Sequence, residues 1–216
     1  MIKLVVFDMD GVLVDSEKAI SQASIDALKK WGVEAKLSDF VEFAGMGDDK
    51  YIGGVARKYG TEYDLAMKEE AYRIYFERAK ENVHVFPWSK PLIETLGKKY
   101  KLALASASDY PKVMKNVECV GVLPSAFDAV VTGSDVEKKK PDPSIFLKAA
   151  QKAGIDPKYA IVFEDAVSGV MAAKSAGMTA VAVTTTFDRE TLEKAGADFV
   201  VDDLIKAIDI IEKLNS

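Results

Sequence analysis

The chain has 216 residues, 49% apolar and 29% charged, with a formal net charge of −5. That size suits one large domain or a domain with a smaller insert; no apolar run approaches the ~20 residues of a membrane span, and the acidic balance argues against a general nucleic-acid binder. No signal-peptide pattern opens the chain and the one cysteine, Cys119, cannot pair internally, so a cytoplasmic protein is expected.

In chain order, apolar runs predict strands at Ile2–Phe7, Lys101–Ala105, Ala129–Thr132, Ala160–Phe163, Thr179–Thr184 and Phe199–Val201. Several are continuous rather than alternating, as in a parallel sheet covered on both faces. Helical patterns lie between them at Pro91–Lys99, Pro111–Val120, Pro143–Ala153, Ala166–Ala176 and Arg189–Ala195, with Gly154 and Gly177 at C-terminal positions. The alternation predicts a three-layer α/β domain. Between Asp15 and about Pro87 only helical pattern is found. Ile20, Ala23, Ala27, Leu28 and Trp31 share one face, and Leu65, Tyr72, Tyr75, Phe76 and Ala79 another. A stretch of about 70 residues exceeds a normal crossover, so residues 16–84 are read as an inserted helical domain, with residues 1–15 and 85–216 forming the core.

Ligands of open parallel sheets bind beyond the carboxyl ends of the strands. The first strand ends in Asp8-Met9-Asp10-Gly11, the second in Ser106-Ala107-Ser108; the third leads to Lys140-Pro141, and the fourth ends in Glu164-Asp165. Each has a plainer explanation alone: a turn, a helix cap, a solvated lysine run, acidic residues at a helix start. Together, in this order at one edge, they predict phosphate chemistry. Asp8, Asp10, Glu164 and Asp165 cluster oxygens suited to Mg²⁺. Lys140, Ser106 and nearby backbone N–H groups, including that of Ala107, would hold phosphoryl oxygens, and a carboxylate would act as nucleophile.

The segments DMDGVLVDS, ASAS, KKKPDP and FEDAVSG together resemble the four motifs of the haloacid dehalogenase superfamily, and the layout resembles its β-phosphoglucomutase-like phosphatases. The resemblance covers nearly the whole chain. It implies a Rossmann-like core with the first strand central and a helical cap inserted after the first motif. It also implies Asp8 as nucleophile and Asp10 as general acid/base, with phosphoryl binding at Ser106 and Lys140. Mg²⁺ would be held by Asp8, the Asp10 carbonyl and Asp165, with Glu164 in support through water. Gly45, Met46, Gly47 and Asp48 would belong to the substrate-specificity loop of the cap.

Two departures from the mutases concern charge: Asp48 stands where they place an arginine, and Asp109 where they have a lysine. A third is Ile20 in place of a histidine. A Mg²⁺-dependent phosphatase acting on a small phosphorylated metabolite is therefore expected, as a monomer without nucleic-acid or membrane partners. The alternatives are a phosphomutase of the same family and, from another class, a phospho-accepting receiver module. The latter is disfavoured because Thr132-Gly133-Ser134 follows the third strand, where a receiver carries its aspartate. His84 is expected at the surface or packed at a hinge, Cys119 in the core. Trp88, where relatives often carry glycine, is unexplained by the sequence.

Overall fold

The structure is a computed structural model and describes residues 1–43 and 46–216. In chain order the elements are β1 (Leu4–Phe7), β2 (Val14–Asp15), α1 (Glu17–Leu28), α2 (Asp48–Lys58), α3 (Leu65–Asn82), β3 (His84–Val85) and α4 (Ser89–Leu96). They continue with β4 (Lys101–Ala105), α5 (Tyr110–Val120), β5 (Ala129–Val131), α6 (Ser144–Ala153), β6 (Ala160–Glu164), α7 (Val167–Ser175), β7 (Thr179–Val183), α8 (Arg189–Lys194), β8 (Phe199–Val201) and α9 (Ala207–Asn215). Six strands form a parallel sheet in the order β5-β4-β1-β6-β7-β8, so β1 is central as expected.

Alternate side chains separate the two helical layers. Val5, Phe7, Leu104, Phe163 and Val181 join the core that includes residues of α4, α5 and α9. Leu4, Val6, Ala103, Ala105, Ala180 and Ala182 face α6 and α7, whose Ala149, Ala150, Ala172 and Ala173 meet them. Small residues on both sides let these helices lie close to the strands. Phe7 meets Phe163 edge to face at 5.2 Å between ring centroids, a favoured aromatic geometry. Leu4 pairs with Lys101 on one side and Ala160 on the other, and this register continues to Phe7. Residues just past Phe7, Ala105 and Phe163 therefore emerge side by side.

The inserted region contains α1–α3. Ile20, Ala23, Ala27 and Leu28 are buried as the periodicity requires, and so are Tyr72, Tyr75 and Ala79. Leu65 is exposed at the start of α3, although Met67 two residues on is already buried. Two short strands escape the sequence reading. Val14–Asp15 pairs antiparallel with His84–Val85, so a strand does exist between Asp15 and Pro87. Helix α9 also escaped it, although Ala207 and Ile211 mark its buried face.

Trp88 has a clear role here. Its Nε1–H donates to the Val12 carbonyl at 2.8 Å, and Phe86 stacks flat on its ring, 4.8 Å between centroids. The Ser89 hydroxyl and the Phe86 N–H both donate to the Leu13 carbonyl. His84 is exposed with its ring edge-on to Phe86, and Cys119 is half-buried against the core rather than fully within it. Among the described residues, no helix is long and apolar enough to cross a membrane.

Candidate active site

Strand β1 stops at Phe7, yet the Asp8 N–H still donates to the Phe163 carbonyl at 2.9 Å. The chain then folds back: Leu13 and Val14 N–H groups donate to the Met9 carbonyl, and Gly11 N–H to Val14. This turn sends Asp8 and Asp10 to one cavity instead of to opposite faces of a continuing strand. Gly11 is required twice over. Its φ of +79° is costly for other residues, and a Cβ there would lie 1.9 Å from Asp165 Oδ2.

Of the three consecutive lysines, only Lys140 lines the cavity. Its Nζ donates to Asp8 Oδ1 at 2.6 Å and to Glu164 Oε1. Glu164 Oε2 accepts the N–H groups of Asp165 and Ala166, each at 2.9 Å. Both oxygens of Glu164 are thus engaged by the protein. Burial pushes the Asp8 carboxyl up to about 7, with Lys140 opposing the shift and Glu164 and Asp10 adding to it. Burial, Glu164 and Asp8 likewise raise Asp165 well above the usual carboxylate range. Burial works against the Lys140 ammonium, but Asp8 and Glu164 outweigh it and hold the group protonated.

Glu164 packs against Gly169 in the first turn of α7, where a Cβ would fall 1.8 Å from Oε1. Gly→Ala in an ordinary helix gains up to ~1 kcal/mol. Here Gly169→Ala is expected to reverse that sign and cost about 1–3 kcal/mol through overpacking, read as a lower melting temperature. An unchanged or raised value would contradict this packing.

Asp10 has a separate set of partners. Oδ1 accepts the Ser16 hydroxyl, and Oδ2 accepts Lys112 Nζ at 3.2 Å and the Ser108 hydroxyl at 3.4 Å. The ammonium also donates to Ser108 Oγ at 3.0 Å. Burial again opposes the charge on Lys112, and Asp10 and Asp48 overcome it. Ser16 accepts from Asn116 Nδ2 at 3.4 Å, and the Tyr75 hydroxyl of α3 donates to Asn116 Oδ1. Ser106 and Ala107 line the cavity, Ser106 buried with its Oγ accepting the Ser108 N–H at 3.2 Å.

The inserted loop is split in its placement. Gly45 lies outside the described residues, and Met46 is exposed away from the cavity lining. Gly47 and Asp48 do line the cavity. Asp48 is buried, and its Oδ2 accepts the Tyr72 hydroxyl at 2.7 Å and the Asp109 N–H at 2.8 Å. Asp109 in turn accepts Lys68 Nζ of α3 at 2.9 Å. Two residues of the inserted region thereby grip one residue of the core.

Sequence reasoning missed Lys112, Ser16, Thr185 and Thr186. Thr186 Oγ1 donates to Asp165 Oδ2, and Thr185 Oγ1 donates to the Gly11 carbonyl at 2.5 Å. Both lie just beyond β7, so inspecting the end of the fifth strand as the first four were inspected would have found them. Asp8, Asp10, Lys112, Lys140, Asp165 and Thr186 surround one cavity of about 690 Å³, whose other walls include Glu17, Ile20, Tyr51, Phe86, Met171 and Phe187; Ser16 lies behind Asp10, outside the lining.

A family model described as haloacid dehalogenase-like hydrolase matches residues 5–183, which include the strand-end residues of β1, β4 and β6 and the Lys140-Pro141 segment. The chain belongs to this family. It is 39% identical over 209 residues to the Arabidopsis thaliana chloroplastic protein Suppressor of Quenching 1. That match covers 94% of this chain but 20% of the relative, so the chain spans about a fifth of that protein's length. A phosphorylated carbohydrates phosphatase of Thermotoga maritima is 31% identical, over 89% of this chain and 91% of the relative. The crystal structure of a β-phosphoglucomutase from Clostridium difficile superposes with a TM-score of 0.81 at 25% identity, covering 100% of this chain and 98% of that one. The family resemblance and the fold expected from sequence therefore hold.

Proposed function

We propose that this haloacid dehalogenase-like hydrolase is a phosphatase that removes the phosphoryl group from a small monoester, a phosphorylated sugar or related metabolite, through an aspartyl phosphate on Asp8. The observation that carries this reading is the separation of two carboxylates in one cavity. Asp8 is buried against Lys140, and Asp10 is partly open and held by Lys112 and Ser16. An Asp8 oxygen attacks phosphorus while the ester P–O bond breaks. The electron pair leaves with the ester oxygen, which takes a proton from Asp10. Water, losing its proton to Asp10, then attacks the phosphorus, and phosphate leaves with Asp8 restored. Lys140, Ser106 and the backbone at Ala107 would hold the phosphoryl oxygens.

The donor set fits a hard cation. Asp8 and Asp165 are buried oxygen ligands whose charge is opposed by burial and by their neighbours. Among the described residues, no three His, Cys, Asp or Glu side chains form a metal-holding group by themselves. Mg²⁺ binds commonly through one or two carboxylates, with waters and phosphate oxygens. Asp8, Asp165 and the Asp10 carbonyl would hold it, and Glu164, whose oxygens face Lys140 and backbone N–H groups, would support these ligands. When bound, the ion supplies positive charge for the transferring phosphoryl oxygens.

These carboxyls make stability depend on pH. The folded state keeps a proton on Asp8 up to about 7, whereas an unfolded aspartate gives it up near 3.8. Metal-free stability from this group therefore falls as pH rises between those values. A cation that takes the proton's place stabilises the fold more as pH rises. The melting-temperature increase on adding Mg²⁺ is expected to be small at pH 5 and largest above pH 7. An increase independent of pH would contradict this account.

The second reading, a phosphomutase, is favoured by the Clostridium difficile likeness. Against it, Asp48 brings a carboxylate to the cavity where a second phosphate would need a cation. The deciding experiment incubates the protein with Mg²⁺ and a panel of sugar phosphates including β-glucose 1-phosphate, following free phosphate and glucose 6-phosphate. Free phosphate is expected. Glucose 6-phosphate formed without phosphate release would overturn the phosphatase reading.

A further inference from the structure

Lys112 is a buried cation to which the mechanism above gives no part beyond its contact with Asp10. It stands in the first turn of α5, two residues after Tyr110, where the helix dipole disfavours positive charge. It is also only 5% exposed, and burying an ammonium is costly. Neither helix propensity nor packing accounts for a lysine here. The contacts do: Nζ lies 3.2 Å from Asp10 Oδ2 and 3.0 Å from Ser108 Oγ.

We propose, building on the phosphatase reading, that Lys112 is the positioning residue for Asp10. The side chain of Asp10 is about a third exposed (32%), so packing alone does not fix its carboxylate. Ser16 holds one oxygen from the start of the inserted region, and Lys112 holds the other from the core. Ser108 shares the ammonium and keeps it from swinging toward the phosphoryl site. The two carboxylates thus have one lysine each: Lys140 serves Asp8, where phosphorus is attacked, and Lys112 serves Asp10, where the leaving oxygen receives its proton. Lys112 acts through Asp10 and not on the phosphoryl group.

Phenyl phosphate and p-nitrophenyl phosphate test this, because they share a ring and differ chiefly in the basicity of the leaving oxygen. kcat/KM reports steps up to formation of the phosphoenzyme, in which Asp10 is needed only for a basic leaving group. Lys112→Met is expected to lose about 30-fold or more on phenyl phosphate, within the usual contribution of a general acid, and less than about threefold on p-nitrophenyl phosphate. Equal losses on both esters, or no loss on either, would overturn the inference, since a lysine that binds the ring, binds phosphate or merely supports the fold makes no such distinction. Should Lys112→Met fail to fold, Ser108→Ala is expected to show the same selectivity more weakly, and its absence there overturns the proposal equally. If the wild type hydrolyses sugar phosphates but neither aryl ester, the test becomes Lys112→Met combined with Asp10→Asn on the fastest sugar phosphate. No further loss beyond Asp10→Asn alone is then expected, and additive losses overturn the inference. A wild type that hydrolyses no ester at all takes down the proposed function, and this inference with it.

Discussion

Asp8→Asn is expected to abolish phosphate release from every ester while leaving the melting temperature unchanged or higher. The amide keeps the shape of the carboxylate but cannot form the aspartyl phosphate, and removing such a nucleophile lowers kcat by at least about 10⁴-fold. Stability moves the other way because Asp8 is buried beside Glu164 and near Asp10, in surroundings that resist its charge. Lys140 retains Glu164 as a partner, so the substitution strands no cation. Phosphate release and a thermal melt on the same preparation check both halves. Activity within tenfold of wild type would remove Asp8 from the chemistry, and a melting temperature lowered by many degrees would mean that the ion pair outweighs the burial and repulsion.

Lys140→Met is expected to have the larger effect on the fold. The Lys140 ammonium is the cation shared by Asp8 and Glu164, and its side chain is 9% exposed. Methionine matches its length and suits the Phe146 ring, which lies 4.9 Å from Nζ. Above pH 7, where Asp8 gives up its proton, its carboxylate and that of Glu164 then lose the cation they share. Removing one partner of a buried pair costs about 3–5 kcal/mol, which in a domain of this size lowers the melting temperature by roughly 10 °C. Adding Asp8→Asn to Lys140→Met should restore part of the loss, because one of the uncompensated charges is then gone. If Asp8→Asn shifts the melting temperature by the same amount in the wild type and in Lys140→Met, Lys140 stabilises the fold by packing and not by charge.

The strand-end residues were legible because their position has one physical meaning. A run such as Leu4–Phe7 must be central to a parallel sheet, and the residues just beyond such strands reach one edge. The joint appearance of Asp8, Ser106, Lys140 and Asp165 at that edge needed no coordinates. Lys112 was not legible, because a lysine inside an amphipathic helix reads as solvent-facing, and only the crossing of α5 beside the first turn brings it to Asp10. Asp48 was legible as a loop residue at the cavity, but its bond to the Asp109 N–H depends on how the inserted helices rest on the core. Strands β2 and β3 have two residues each, too few for any period to be detected, and Trp88 acquires its meaning only through the Val12 carbonyl.

Strands β2 and β3 also bear on how the chain can change. Asp15 and His84 are directly paired, so residues 16–83 leave and rejoin the core at a single point, and the closure entropy of that excursion grows only slowly with its length. Trp88 and Ser89 fasten the rejoining chain to Val12 and Leu13, immediately beyond the turn that carries Asp8 and Asp10. Insertions, deletions and wholesale replacement between those points need not disturb the register of β1. The inserted wall of the cavity can therefore change while the backbone at Asp8 and Asp10 stays where the sheet and its turn put it.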